Sequence, residues 1–131
     1  MARVDQSHPR SHRIAHQAEI DACYKQGRRW NSKLMRIHVR ANGLPHSRMA
    51  ISIPGRVCNS VKRNRWKRLL RETFRLNQGT IGTGLDIVVV ATRPPDELGL
   101  AEVTAMLLDL VKRHRGLPSE APPKGAKEGL P

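Results

Sequence analysis

Residues 62–75 constrain the fold most, because seven basic side chains and one acidic side chain share this short segment with several large apolar ones. In a helix, which turns about 100° per residue, the apolar and charged side chains would separate onto opposite faces. The apolar face would contain Trp66, Leu69, Leu70, Thr73 and Phe74. The charged face would contain Asn64, Arg68, Arg71 and Arg75. The pattern predicts a helix that packs on a core and presents positive charge to a polyanion; the alternative is a solvated face without a partner.

The overall charge of the chain also indicates a nucleic-acid partner. Its 131 residues include 24 Lys and Arg against 11 Asp and Glu, which gives a formal net charge of +13 and a pI near 11.2. An excess of this size is typical of nucleic-acid-binding proteins. Aromatic residues make up only 3% of the chain, which argues against modules that stack bases on several rings. The length suits one domain with a modest core.

The cysteines and the apolar segments give no sign of secretion or membrane insertion. Cys23 and Cys58 lack the spacing of a metal or redox motif, and no secretory signal sequence precedes them. The longest purely apolar run, residues 87–91, is far shorter than the roughly 20 residues that span a bilayer. We therefore expect reduced thiols, a cytoplasmic location and no membrane partner.

The N-terminal half of the chain predicts one helix and two strands. Residues 1–10 are polar and basic, and we expect them to be flexible. Loosely helical apolar spacing predicts a first helix over residues 15–26, with Gly27 at its C-terminal stop. Mostly alternating character over residues 34–40 and again over 49–53, with a turn signal between them, predicts an antiparallel strand pair.

The C-terminal half predicts the basic helix, a buried strand and a last helix. Asn59 or Ser60 can cap the basic helix, which would run to about Gln78. The segments that follow are a flexible glycine-rich connector at 79–84, a β-branched run at 85–90, a helical pattern at 100–114 and a tail rich in Pro and Gly at 116–131. The β-branched run is typical of a central strand, and we expect the tail to be disordered. The order of elements predicts an α+β sandwich, with a strand-helix-strand connection that is right-handed by default.

Two local patterns resemble small-ligand sites but lack the residues that such sites need. The glycines of 79–84 could present N–H groups to a phosphate, but the Lys and the Ser or Thr of a phosphate-binding loop do not follow them. His8, His12 and His16 would share one side of a helix, yet a zinc site usually needs four ligands. The acidic residues are scattered, whereas a two-metal nuclease needs clustered carboxylates. We therefore predict no nucleotide site, no metal site and no catalytic residue.

Residues 59–74 closely resemble the signature of the bacterial ribonuclease P protein subunit. That family carries the pattern Asn-Ala-Val-x-Arg-Asn-Arg-x-Lys-Arg-x-x-Arg-x-x-Phe, from which this chain departs only at Ser60. The flanking segments that are also similar lie at 24–29, 51–53 and 86–94. The resemblance implies a ribonuclease P protein domain over residues 11–115 and leaves the tail unexplained.

The resemblance implies a function and a fold. Family members assist a catalytic RNA that removes the 5′ leader from precursor tRNA, so the catalytic centre is expected in the RNA subunit. The implied partners are ribonuclease P RNA and precursor tRNA, without an obligate protein partner, and Mg²⁺ would be bound mainly by the RNA subunit and the substrate. The implied fold is an α-β-β-β-α-β-α sandwich of the ribosomal protein S5 domain 2-like type, in which helices cover one mixed sheet and the β-α-β crossover is left-handed.

The resemblance also implies two groups of site residues. Those expected to bind RNA are Arg56, Asn59, Lys62, Arg63, Asn64, Arg65, Lys67, Arg68 and Arg71. Those expected to line a cleft for the single-stranded leader are Ile20, Tyr24, His38 and Ser52. Family members usually carry several aromatic residues in the cleft and Ser-Lys-Lys before the basic helix. This chain keeps one clear aromatic residue, Tyr24, and has Pro54-Gly55-Arg56, so we expect weaker leader contacts or a shift toward hydrogen bonding.

Three other functions stay open from the residues alone. A structural RNA-binding protein, such as a ribosomal protein, would share the high charge and small size and is the nearest alternative. A DNA-binding regulator would need a helix-turn-helix partner and a dimer element, neither of which is recognisable here. A protein nuclease would cleave its substrate without any RNA subunit.

Overall fold

The computed structural model of this chain describes residues 13–14, 16–95 and 98–116. Its elements in chain order are α1 (Gln17–Gln26), β1 (Arg28–Asn31), β2 (Met35–Ala41), β3 (Arg48–Ser52), α2 (Ser60–Leu76), α3 (Gln78–Ile81), β4 (Leu85–Ala91) and α4 (Leu100–Arg115). The predicted first helix, basic helix, buried strand and last helix are confirmed, with ends shifted by one or two residues. The predictions for residues 1–10, for 117–131 and for the pair His8 and His12 lie outside the described residues.

The four strands form one mixed sheet in the order β1-β2-β4-β3. β2 is antiparallel to both β1 and β4, whereas β3 is parallel to β4. The predicted antiparallel pairing of residues 34–40 with 49–53 is therefore wrong, because β4 lies between these two strands. All seven residues of β4 are buried, and a strand covered on both faces satisfies its backbone groups best with a partner on each edge.

The connection from β2 to β3 passes over the start of β4. The backbone N–H of Asn42 donates to the carbonyl of Gly84 at 2.9 Å, and the N–H of Leu85 donates to Oγ of Ser47 at 3.1 Å. Both bonds hold the connection to the strand that separates β2 from β3. The turn signal in the sequence therefore marks a connection that skips one strand instead of a hairpin.

Helices cover both faces of the sheet. Successive side chains of a strand point to opposite faces. Ile87 and Val89 of β4 join the main core with α2 and α4, whereas Val88 and Val90 pack with Cys23 of α1 on the other side. The structure is thus the predicted α+β sandwich with a central β4. The left-handed crossover stays a prediction.

The segment between α2 and β4 differs from the flexible connector that the sequence predicted. It contains α3, and Ile81 at the end of that helical turn is fully buried in the main core. The side chain of Arg115 donates from Nε to the carbonyl of Ile81 at 2.8 Å and from Nη2 to the carbonyl of Thr83 at 2.9 Å. These bonds tie the connector to the end of α4.

Candidate nucleic-acid interface

The rotation of α2 about its axis is fixed by contacts on its apolar face. Trp66 is fully buried, and its Nε1 donates to the carbonyl of Arg93 at 2.8 Å. Oγ1 of Thr73 shares a hydrogen bond of 3.0 Å with Oγ1 of Thr104 in α4. Leu70 and Phe74 are buried on the same side, as the sequence predicted. The face opposite these residues is therefore directed away from the core.

The N-terminus of α2 is closed by Asn59, one of the two predicted caps. Its side chain accepts a hydrogen bond of 3.0 Å from the backbone N–H of Lys62. A side-chain cap of this kind satisfies one of the free N–H groups at the start of a helix. Ser60 is the first helical residue and does not serve as the cap.

The predicted RNA-binding residues form one surface on α2 and the turn before it, which we call the α2 surface. Its exposed members are Arg56, Asn59, Lys62, Asn64 and Arg68. Its half-buried members are Arg63, Arg65, Lys67 and Arg71. The only carboxylate of α2 belongs to Glu72, which binds Arg75 at 2.7 Å, and this contact holds the pKa of Glu72 below its usual value. The α2 surface therefore keeps a strong excess of positive charge.

Two arginines of the α2 surface also contact the rest of the domain. Nη2 of Arg65 donates to the carbonyl of Leu98, just before α4. A Cβ atom at Gly55 would lie 3.5 Å from Nη2 of Arg63, so this side chain turns back over the preceding turn. Nε is buried in both arginines. Arg63 and Arg65 therefore connect the α2 surface to its neighbours, whereas Arg68 is exposed.

The predicted leader-cleft residues lie on the opposite side of the sheet, beside α1. Tyr24 and His38 form an edge contact with ring centroids 4.5 Å apart. Ile20 is half-buried one helical turn before Tyr24 and packs on the smaller core cluster. Ser52 lies at the end of β3, in register with Val90, and so shares this face of the sheet. We call the surface that this sheet face forms with the exposed side of α1 the groove.

His38 is uncharged at neutral pH. Its side chain is 7% exposed, and burial, together with the positive charges of Arg36 and Arg29, lowers its pKa from 6.5 to about 4. Nε of Arg36 donates a hydrogen bond of 3.1 Å to Nε2 of His38, which requires that nitrogen to be unprotonated. His38 therefore orients Arg36 and does not itself supply charge to the groove.

A buried ion network positions α1 above the groove. Asp86 of β4 is fully buried and binds Arg48 of β3 through two contacts of 2.6 and 2.8 Å. The same arginine binds Glu19 of α1 at 3.2 Å. At the other end of α1, a Cβ atom at Gly27 would lie 2.7 Å from the carbonyl oxygen of Val39, so the close approach of the two backbones requires glycine. α1 is thus anchored to the sheet at both ends.

Four arginines that were not among the predicted site residues lie on the groove side of the sheet: Arg29, Arg36, Arg40 and Arg48. The signal was present in β2, where Arg36, His38 and Arg40 alternate with buried apolar residues. The alternation does not say which side of the sheet these side chains face. The position of α1 in the structure shows that they face the groove.

Three observations on the described residues concern metal binding, the cysteine thiols and membrane insertion. The described residues contain no group of three or more His, Cys, Asp or Glu side chains that could hold a metal ion. Both cysteines are free, and burial raises the pKa of the Cys23 thiol to about 11. Within the same part of the chain, no helix has the length and apolar character required to cross a membrane.

Comparisons with known proteins identify the family of this chain. A sequence model of the family described as Ribonuclease P matches residues 8–115. The ribonuclease P protein component of Lachnoclostridium phytofermentans is 37% identical over 99 residues, which cover 76% of this chain and 85% of the relative. That of Desulfovibrio desulfuricans is 36% identical over 127 residues, covering 94% and 95%. The chain belongs to the ribonuclease P protein family.

A solved structure supports the same assignment. The ribonuclease P protein from Thermotoga maritima superposes with a TM-score of 0.71 and 30% identity, covering 77% of this chain and 96% of that chain. The resemblance drawn from residues 59–74 is therefore confirmed. The chain has the role of the ribonuclease P protein component, which assists the RNA subunit in processing the 5′ leader of tRNA.

Proposed function

We propose that this chain binds ribonuclease P RNA through the α2 surface and receives the 5′ leader of precursor tRNA in the groove. The observation that carries the proposal is the fixed orientation of α2, whose buried face directs Arg68 and its neighbours outward. Arginine suits this role, because its planar guanidinium can donate two parallel hydrogen bonds to one phosphate. The two surfaces lie on opposite sides of the sheet, so folded RNA and a leader strand could be bound at once.

The catalytic centre belongs, in this proposal, to the RNA subunit. Four of the described carboxylates are bound to arginines: Glu19 and Asp86 to Arg48, Glu72 to Arg75, and Asp109 to Arg113. Mg²⁺ would then be held by RNA and substrate phosphates, and the protein would assist by binding both RNAs. A cytoplasmic location and the absence of an obligate protein partner belong to the same proposal.

Reconstitution tests this function. The purified chain is added to a bacterial ribonuclease P RNA at a Mg²⁺ concentration too low for the RNA alone to be active, and cleavage of precursor tRNA is followed. We expect removal of the 5′ leader only when both components are present. Lack of stimulation would favour a structural RNA-binding protein, and cleavage by the chain without RNA would place the catalytic centre in the protein.

A further inference from the structure

At one end of the sheet face under α1, arginine side chains bond to residues of α1 and β4. There Arg48 binds Glu19 and Asp86, and Nε of Arg40 donates to Oε1 of Gln26 at 3.3 Å. These contacts join α1 to β2, β3 and β4. Arg48 therefore serves the fold, and a ligand would have to displace its internal bonds to reach it, whereas Arg40 uses only Nε in its bond to Gln26.

Two further arginines lie at the other end of this face, beside Tyr24. Arg29 of β1 is in register with His38 of β2, and Arg36 stands two residues before His38, so the three side chains share one face. Arg29 is exposed and Arg36 is half-buried. The hydrogen bond from Arg36 to His38 uses only Nε, so it leaves the two terminal amino groups of this guanidinium to other acceptors.

Little negative charge opposes these two arginines among the described residues. Glu19 and Asp86 are occupied by Arg48 at the far end of the groove. Asp21 is exposed on α1 and accepts a hydrogen bond of 3.0 Å from Gln17 of the same helix. The end of the groove near Tyr24 therefore carries the positive charges of the Arg29 and Arg36 guanidinium groups.

Among the described residues of the groove, only one ring is exposed enough to stack on a base. Tyr24 is 40% exposed, whereas the ring of His38 is 7% exposed. The two rings meet at 62°, so His38 supports the edge of Tyr24 and does not offer a second stacking surface. Ile20, on the same helix, has no ring. The groove therefore suits binding of an RNA strand through its charged phosphates better than binding through stacking of several bases.

We propose that the groove holds single-stranded RNA by its backbone phosphates, which Arg29 and Arg36 bind, and that it stacks a single base on Tyr24. This inference rests on the proposed function, in which the same groove receives the 5′ leader. Contacts to phosphates carry no sequence information directly. The chain would therefore accept leaders of different sequence and would discriminate against leaders with an uncharged backbone.

The edge strand β1 provides a matched control for this proposal. Arg28 and Arg29 are neighbours in sequence and both are exposed, but a strand directs them to opposite faces. The guanidinium carbon of Arg28 lies 5.6 Å from the centroid of the Trp30 ring, on the side of the sheet that α4 covers. Arg28→Gln and Arg29→Gln thus remove the same charge from the same strand, and only Arg29→Gln changes the groove.

The experiment compares leader chemistries in the reconstituted complex of the full chain with ribonuclease P RNA. Dissociation constants are measured for mature tRNA and for precursor tRNA whose leader is natural, lacks its bases, or has methylphosphonate linkages. We expect the leader without bases to bind about fivefold to tenfold more weakly than the natural leader, the lower part of the range for the loss of one stacked base. The uncharged leader should bind more than about tenfold more weakly, because its linkages offer the arginines no negative charge.

The variants then assign the phosphate contacts to residues. Arg29→Gln and Arg36→Gln should each weaken binding of the natural leader by about threefold to tenfold and reduce the penalty for the uncharged leader. Arg28→Gln should leave both values unchanged. Arg36→Lys keeps the charge but not the planar guanidinium, so it should weaken binding less than Arg36→Gln. Mature tRNA should bind all of these complexes equally, because it has no leader.

Three outcomes would overturn the inference, and they are distinguishable. If the leader without bases loses as much affinity as the uncharged leader, bases and not phosphates hold the strand. If Arg28→Gln weakens leader binding as much as Arg29→Gln, the effect is one of net charge and not of the groove. If wild-type complexes bind precursor and mature tRNA equally, the groove does not receive the leader, and the proposed function fails together with the inference.

Discussion

At the scale of single residues, His38 shows how a neutral side chain organises a charged surface. Its ring contacts Tyr24 and accepts a hydrogen bond from Arg36, and Arg29 is its register partner in β1. The lone pair on Nε2 accepts from Arg36, and the ring edge meets Tyr24. A protonated ring would lose the acceptor and would add a third positive charge beside Arg29 and Arg36. The arrangement is therefore stable only while His38 stays neutral.

Acid should weaken the fold through this residue. The folded protein resists protonation of His38 until the pH approaches its lowered pKa of about 4, whereas the unfolded chain takes up the proton near 6.5. Protonation of His38 thus favours the unfolded state. The stability that His38 contributes to the fold is therefore fully present above pH 6.5 and is lost as the pH falls from 6.5 toward 4. We expect a loss on the order of 2 kcal/mol in the free energy of unfolding over this range.

The measurement is urea unfolding near neutral pH and near the lowered pKa, for the wild type and for His38→Gln. Glutamine keeps an acceptor for Arg36 but does not titrate. The variant should therefore lose less stability than the wild type on acidification, and His114, whose pKa is also lowered by burial, contributes equally to both proteins. Equal losses in the two proteins would show that His38 does not titrate as described.

At the scale of elements, α2 carries the contact with folded RNA in this proposal. The double substitution Arg68→Ala and Arg71→Ala should leave the fold intact and weaken binding to ribonuclease P RNA by about 10- to 100-fold, because it removes two charge-assisted hydrogen-bonding groups. Arg65 is not included, since its bond to the carbonyl of Leu98 would add a loss of stability. Filter binding gives the affinity, and thermal unfolding monitors the fold.

Arg75→Ala is the control for the double substitution. This residue is exposed near the end of the same helix, but its guanidinium already binds Glu72 at 2.7 Å. Removing Arg75 should therefore change the RNA affinity by less than about threefold, as expected for an exposed ion pair. A loss as large as that of the double variant would mean that the contact extends past the α2 surface.

The elements also separate what sequence patterns can and cannot predict. α2 was predicted closely because its spacing, its cap at Asn59 and its apolar face are all local properties. The pairing of β2 with β3 was predicted wrongly because strand pairing depends on residues far along the chain, here on β4. α3 was missed because glycines in residues 79–84 mask a helical turn that the burial of Ile81 stabilises.

At the scale of the whole molecule, the sheet separates two positively charged surfaces. The α2 surface follows from residues that are close in sequence, so the sequence alone could predict it. The groove arginines lie on two different strands, and α1 determines which part of that sheet face stays open. The sequence spacing of Arg29 and Arg36 therefore could not show that they share one surface. The resemblance to the family supplied Tyr24 and His38 but not the arginines beside them.

The two surfaces should respond separately to salt. Removing one side chain that neutralises a phosphate lowers the slope of log affinity against log salt by about 0.7 to 0.9. A protein that neutralises about six to ten phosphates of duplex DNA loses roughly 10³ to 10⁵ in affinity between about 50 and 200 mM salt. We expect Arg68→Ala with Arg71→Ala to lower the slope for assembly with ribonuclease P RNA by about 1.4 to 1.8 and to leave the slope for leader binding unchanged. Arg29→Gln with Arg36→Gln should do the reverse, because the groove lies across the sheet from α2. If either double variant changes both slopes equally, the protein presents one continuous RNA-binding surface, and the division by the sheet has no functional meaning.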